Sequence, residues 1–344
     1  MNTNTNSLPW VEKYRPDNLD DIISHKEILT TLTNLISNNK IPHMIFYGPP
    51  GTGKTTTILA CAKKIYGSNY RSMILELNGS DDRGINVVRE QIKNFSATDS
   101  KISNMLVSDN NFKQKTNIKL VILDEADAMT YDAQFALRRV VESYTDSTRY
   151  CLICNYLTKI IPALQSRCKM FRFAPISNID HIQKINNIIN IEKININEDA
   201  TKKIIELSEG DMRRSLNLLQ SLYMINCEKL IELNTVYKSI GYPSDDEKND
   251  IIESLKGKTL NETYNILSGF NNLSNQDIIR EISGYYSKQF IQQYRDKKKR
   301  IPINEQNNLL DLFDGLAKIE VNITSNTNNN IHLLAISSVI YNNR

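Results

Sequence analysis

No stretch of this chain of 344 residues approaches the roughly 18 consecutive apolar residues of a membrane span. The opening Met-Asn-Thr-Asn-Thr-Asn also lacks the basic-then-apolar order of a secretory signal, so the expectation is a soluble protein acting inside the cell. Cysteine is scarce: five, an odd number without framework spacing, which suits reduced thiols better than a disulfide scaffold. Cys151 and Cys154 form a C-x-x-C within the apolar stretch Tyr150-Cys151-Leu152-Ile153-Cys154, and no second pair stands at zinc-finger spacing. They are read as buried strand residues rather than metal or redox ligands. The four histidines, His25, His43, His181 and His332, are scattered singly, which gives neither a metal cluster nor a nucleophile–histidine pair. Charge imbalance is equally small: a net +3 says little about a nucleic-acid partner unless basic residues gather on one face. The one dense basic run, 295–300, reads as a solvated face or an electrostatic handle.

What is present is length enough for two or three domains, with 40% hydrophobic residues to fill more than one core. Gly48-Pro49-Pro50-Gly51-Thr52-Gly53-Lys54-Thr55 fits the phosphate-cradling pattern G-x-x-x-x-G-K-[ST] at every fixed position and follows the apolar run 44–47. Glycines there let successive backbone N–H groups converge on phosphate oxygens. Lys54 is expected to neutralise the β- and γ-phosphates and the Thr55 hydroxyl to ligate Mg²⁺. From Thr56 onward Ile58, Leu59, Ala62, Ile65 and Tyr66 recur at the spacing of one helix face, so a helix N-terminus adds its dipole to the anion site. Leu120-Val121-Ile122-Leu123-Asp124-Glu125-Ala126-Asp127 is an apolar strand running into acids, as a Walker B element does. Asp124 is the candidate Mg²⁺ ligand and Glu125 the candidate general base for water.

Short apolar runs at 44–47, 74–77, 120–123, 150–154 and 169–173 alternate with helix-period segments, which predicts a five-stranded parallel sheet with helices on both faces. The polar segment 99–116 interrupts that alternation and reads as an exposed insertion. After Pro175 only helix patterns follow: 180–191, 197–208 and 212–227, with Glu209-Gly210-Asp211 as a stop followed by an N-cap. Turn residues at 241–246 mark a second boundary, and 247–255, 260–270, 275–293, 306–318 and 331–341 read as a helical bundle. The expected domains are therefore 1–175, a nucleotide-binding α/β domain, 176–241, a small helical lid, and 242–344, an all-α collar.

Gly48 to Thr55, Asp124-Glu125-Ala126-Asp127, Ser166-Arg167-Cys168 and Gly210-Asp211-Met212-Arg213 together resemble the signature set of the AAA+ clamp loaders, in particular the small subunits of replication factor C. Trp10-Val11-Glu12-Lys13-Tyr14-Arg15-Pro16 and Asn78-Gly79-Ser80-Asp81-Asp82-Arg83-Gly84-Ile85 extend the likeness, which is dense from Trp10 to about Leu219. The resemblance implies that Asn155 is the sensor-1 residue that positions the lytic water, and that Arg213 reaches the γ-phosphate from the lid. It implies that Arg167 is an arginine finger for a neighbouring subunit's nucleotide, and that Arg138 and Arg139 border the same contact. By the same likeness Val11 and Arg15 wall the adenine pocket, though read alone their segment is an extended, proline-ended strip. Arg83, Arg89 and Lys93 are the implied followers of a duplex backbone, with solvated surface charge as the alternative.

The implied function is an ATPase subunit of a clamp loader that opens a ring-shaped sliding clamp and loads it on primer–template DNA, using ATP and Mg²⁺. The implied partners are the other subunits of a hetero-pentamer, the clamp and DNA, in the nucleus or a viral replication compartment. Another AAA+ DNA motor, such as a branch-migration helicase with a C-terminal winged helix, is one alternative. A non-hydrolysing scaffold that binds ATP as an assembly switch is the other.

Overall fold

The computed structural model describes residues 8–80, 85–97, 118–226, 229–254, 259–270, 273–295, 303–323 and 329–343. The insertion 99–116, Arg83 and most of the basic run 295–300 lie outside the described residues. The chain divides into two compact units, Met1–Leu230 and Ile231–Arg344.

In the first unit five strands form one parallel sheet: β1 Met44–Tyr47, β2 Ile74–Asn78, β3 Lys119–Asp124, β4 Thr148–Cys154 and β5 Lys169–Arg172, in the order β2-β3-β4-β1-β5. A parallel sheet covered on both faces calls for nearly unbroken apolar strands, and β1 and β4 are buried almost throughout. Period-2 alternation sorts their side chains between two cores. Phe46, Cys151 and Ile153 join Ile122 and Phe173 on the face covered by α2 Lys26–Ser37 and α3 Lys54–Tyr66. Ile45, Tyr150, Leu152 and Cys154 join Val121 and Leu123 on the other face, under α5 Ile85–Ala97 and α6 Tyr131–Ser143. The C-x-x-C thiols therefore lie in opposite cores as free cysteines, and burial pushes Cys154 up to about 12 and Cys151 well above its ordinary value. Both remain protonated hydrophobes, as expected from the sequence.

Three short helices also belong to this unit: α1 Trp10–Lys13, α4 Tyr70–Met73 and α7 Pro162–Gln165. The expected extended strip at 10–16 is corrected by α1: Lys13 N–H bonds Pro9 O at 2.9 Å and Tyr14 N–H bonds Trp10 O at 3.0 Å. The reason is tertiary. Trp10 is buried, its ring 5.4 Å from that of Tyr223, and its backbone N–H donates to Gln220 at 3.0 Å.

Gln220 and Tyr223 belong to α10 Met212–Asn226, which with α8 Asn178–Glu192 and α9 Glu198–Ser208 forms the helical lid. Ser177 caps α8 by accepting from Asp180 N–H at 3.2 Å. The stop-and-start at 209–211 is as read from the sequence: Glu209 and Gly210 take φ 51° and 83°, and Asp211 Oδ1 accepts from Arg213 N–H at 2.8 Å and Arg214 N–H at 3.2 Å. A Cβ on Gly210 would come within 2.8 Å of Pro175 Cβ, so this turn seats the lid directly on the chain leaving the sheet.

In the second unit every helix or strand described from Leu233 onward is helical: α11 Leu233–Ile240, α12 Asp245–Ser254, α13 Leu260–Ser268, α14 Asn275–Arg295, α15 Ile303–Ile323 and α16 Asn329–Asn342. Gly241, at φ 70°, ends α11 with Tyr242 N–H on Tyr237 O at 3.0 Å, and Thr259 with Glu262 closes a capping box on α13. Ile251, Leu267, Ile282, Leu312, Leu316 and Ile336 form its buried core. The strands of a winged helix are absent from the described residues of this unit.

Candidate nucleotide site

The loop from β1 to α3 turns through three left-handed glycines, Gly48 at φ 146°, Gly51 at 66° and Gly53 at 91°. Two of them are also held by contact: a Cβ on Gly48 would lie 2.0 Å from Phe173 O, and one on Gly51 would lie 1.7 Å from Asp211 Oδ1. Gly51 is thus where the loop touches the lid, and its carbonyl accepts from Met212 N–H at 3.3 Å. Thr52 steadies the loop through a 2.9 Å bond to Pro49 O, and Thr57 bonds Gly53 O at 2.8 Å in the first turn of α3.

Lys54 opens α3 and is buried, its ammonium held by Gly48 O at 2.7 Å, Pro49 O at 2.8 Å and Asn155 Oδ1 at 3.0 Å. Burial lowers its pKa, Asp124 opposes that shift and Arg213 adds to it. Three neutral oxygens hold a buried cation without matching its charge, which is the electrostatic condition of an anion site. Thr55 Oγ1 donates to Asp124 Oδ2 at 2.8 Å, joining the helix that carries the loop to the exit of β3. Glu125 follows at φ 51°, a left-handed bend that leaves it exposed beside Asp124. A Cβ on Gly79, beyond β2, would come within 2.6 Å of Glu125 O, so only a glycine lets the two strand exits close on one another.

These groups line a cavity of about 270 Å³. Pro50, Gly51, Thr52, Gly53, Lys54, Thr55, Thr56, Asp124, Glu125 and Asn155 form its floor, Val11 and Arg15 one wall, and Arg213 with Met212 the lid side. Gly48 and Pro49 serve it from behind through their carbonyls on Lys54. The fold therefore brings the expected phosphate-loop, strand-end and lid residues together. Arg167 lies outside this lining. Its guanidinium follows α7, donating to Ala163 O at 2.7 Å and pairing with Glu142 at 2.5 Å, and Glu142 also holds Arg138 at 3.0 Å. The two arginines draw the Glu142 carboxyl below its ordinary range, Arg138 foremost. Lys93 is exposed on α5.

Sequence reasoning missed two contributions. Asp127 stands in the sequence only as the last acid of its motif, yet its Oδ2 accepts the backbone N–H groups of Asn155 and Tyr156, each at 3.1 Å. Asp180 and Lys184 of α8 border the cavity from the lid, and an i, i+4 pair on a polar helix face gives no signal that it faces a ligand. Among the described residues no group of three or more His, Cys, Asp or Glu could hold a metal; Thr55 and Asp124 offer two oxygens, and a cation here would complete its shell with water or nucleotide oxygens.

The likeness to known proteins agrees with this geometry. Residues 44–176 match the ATPase family associated with various cellular activities (AAA), and residues 183–224 match the RCF1/5-like, AAA+ ATPase lid domain. Replication factor C subunit 3 of Schizosaccharomyces pombe is 47% identical over 276 residues, covering 79% of this chain and 77% of that protein. Replication factor C subunit 5 of Homo sapiens is 48% identical over 284 residues, covering 81% and 79%, and subunit 5 of Arabidopsis thaliana 43% over 341 residues, covering 96% and 86%. Among solved structures the Thermotoga maritima RuvB Holliday junction branch migration motor aligns with a TM-score of 0.50 at 15% identity over 74% of this chain and 85% of that one, a likeness of fold. With its phosphate loop, acidic strand end and lid gathered on one cavity, this chain belongs to the replication factor C subunit family of AAA+ ATPases.

Proposed function

We propose that this chain is an ATP-hydrolysing subunit of a clamp loader that opens a ring-shaped sliding clamp and loads it on primer–template DNA during replication. The observation that carries the reading is one cavity on which Lys54, Thr55, Asp124, Glu125, Asn155 and Arg213 converge from four separate segments. Lys54 and the loop N–H groups take the phosphates, and Val11 and Arg15 take the adenine side. Thr55 and Asp124, already 2.8 Å apart, are the pair that would hold Mg²⁺, whose charge would offset that developing on the phosphates. Glu125 accepts the proton of the attacking water and Asn155 orients that water without taking its proton. Arg213, on the N-terminal turn of α10, carries the state of the γ-phosphate to the lid.

Arg167 acts on the nucleotide of a neighbouring subunit, so each site is completed in trans and the assembly is head to tail. The partners are the other subunits of a hetero-pentamer, the sliding clamp, and duplex DNA followed through Arg83, Arg89 and Lys93, in the nucleus. Residues 1–175 serve as the nucleotide-binding domain, 176–241 as its lid and 242–344 as the collar that assembles the subunits. None of the described helices is long and apolar enough to cross a membrane.

Glu125→Gln tests hydrolysis against a scaffold that only binds ATP. In the reconstituted complex the variant keeps ATP binding while turnover at this site falls by roughly 10² or more, the usual contribution of a positioned base. Turnover equal to wild type would leave the scaffold reading standing.

A further inference from the structure

Asp127 sits in the single 3-10 turn Ala126–Ala128 that follows β3, two residues beyond Glu125. Its Oδ2 accepts the N–H of Asn155 and the N–H of Tyr156, both at 3.1 Å. These are the first two residues beyond β4, which ends at Cys154. A carboxylate gripping two successive amides fixes the two peptide planes that flank the Asn155 Cα, and with them the direction of the Asn155 Cα–Cβ bond. Asparagine has only two rotatable side-chain bonds. Once its backbone is pinned, the reach of its amide is nearly set, and Asn155 Oδ1 ends 3.0 Å from Lys54 Nζ.

The same carboxylate also ties two strand exits. β3 and β4 run parallel with Leu123 opposite Leu152, so their C-terminal ends lie side by side, one bearing Asp124 and Glu125 and the other Asn155. Backbone pairing stops at the strand ends. Beyond them, the contact from Asp127 to the amides of Asn155 and Tyr156 holds the two exits together.

We propose that Asp127 is a positioning residue for ATP hydrolysis, acting through Asn155 by setting its amide against Lys54 and by fixing the distance between the base-bearing exit of β3 and the water-holding exit of β4. This rests on the reading of Asn155 as the residue that orients the water. The role needs an acceptor oxygen rather than a charge, because both N–H groups converge on one atom. Asp127→Asn offers an amide oxygen that can accept both; Asp127→Ala offers none, and Asp127→Glu carries the carboxylate one methylene out of place.

The test is ATP affinity and single-turnover hydrolysis in the reconstituted complex, with this chain the only subunit able to hydrolyse. Asp127→Ala lowers kcat roughly 10- to 100-fold, the scale expected of a displacement near 1 Å, while ATP affinity stays within about twofold. Asp127→Asn recovers most of that loss. Combined with Asn155→Ala, Asp127→Ala adds less than about a further twofold, since a residue that acts through Asn155 has nothing left to position. Should Asp127→Ala fail to fold, Asp127→Glu is expected to show the same fall in kcat, and wild-type kcat in it overturns the proposal. Losses that multiply independently with those of Asn155→Ala, or an Asp127→Asn as damaged as Asp127→Ala, also overturn it. Normal kcat in Asn155→Ala alone would instead remove the water-orienting reading on which it stands.

Discussion

Phosphate-loop chemistry is legible at single residues because it is backbone chemistry. Left-handed φ angles at Gly48, Gly51 and Gly53 are open only to glycine at low cost, so the geometry is written in the residue type. Lys54 and Thr55 are fixed by their place beside those glycines. Asp127 was not legible, because the amides it holds lie 28 and 29 residues further along and are themselves featureless in sequence. His43, a lone histidine in the sequence, has a defined part: buried just before β1, its Nδ1 accepts from Tyr150 N–H of β4 at 3.2 Å. Burial, helped by nearby Arg149, lowers its pKa from 6.5 to about 4. The folded protein therefore keeps His43 neutral where the unfolded chain takes up a proton, so stability is whole above about pH 6.5 and is lost as pH falls toward 4. The expected loss from this residue is about 2 kcal/mol by about pH 5 and about 3 kcal/mol by about pH 4. Denaturation midpoints of wild type and His43→Gln between about pH 7 and about pH 5 should diverge, the variant losing less; parallel curves would clear His43 of that role.

At the scale of elements, the strands are the most legible. Continuous apolar runs such as Met44-Ile45-Phe46-Tyr47 have no amphipathic helix reading, and all five strands fall where the runs placed them, with ends differing by a residue or two. Helix α1 was missed because four residues between two prolines carry no periodicity; it is held by a partner distant in the chain. Trp10 on α10, together with Lys13 and Tyr14 on Glu192 of α8, fastens the segment bearing Val11 and Arg15 to the lid. A cavity wall held by the lid would shift with any movement of it. Trp10→Ala should therefore raise KM for ATP roughly tenfold with kcat largely kept, as expected when binding common to ground and transition states is removed. A steady KM in that variant would separate α1 from the pocket.

At the scale of the molecule, the two units bury separate cores, and the nucleotide cavity is enclosed within the first by sheet, N-terminal segment and lid. Arg167 alone among the expected nucleotide residues faces elsewhere, parked on Glu142 of α6. A guanidinium held at the surface by one exposed carboxylate and the Ala163 carbonyl exchanges its ionic partner readily, since such surface pairs are worth about 0–1 kcal/mol. Arg167→Ala is accordingly expected to leave ATP binding by this chain intact while slowing hydrolysis in the adjoining subunit by about 10³ or more. Equal hydrolysis in wild-type and variant complexes would dismiss the finger.

The sequence by itself determined the chemistry that depends on local backbone and residue type: the glycine loop with Lys54 and Thr55, the acidic end of β3, the apolar strands, and the helical character after Pro175. Only the tertiary structure decided the strand order β2-β3-β4-β1-β5, the opposite burial of Cys151 and Cys154, the seating of the lid on Gly51 through Asp211, and the grip of Asp127 on the exit of β4. Each of these is a contact between segments far apart in the chain. Such contacts are chosen by which faces can be buried together and which polar atoms must then find partners, and local pattern carries no record of either.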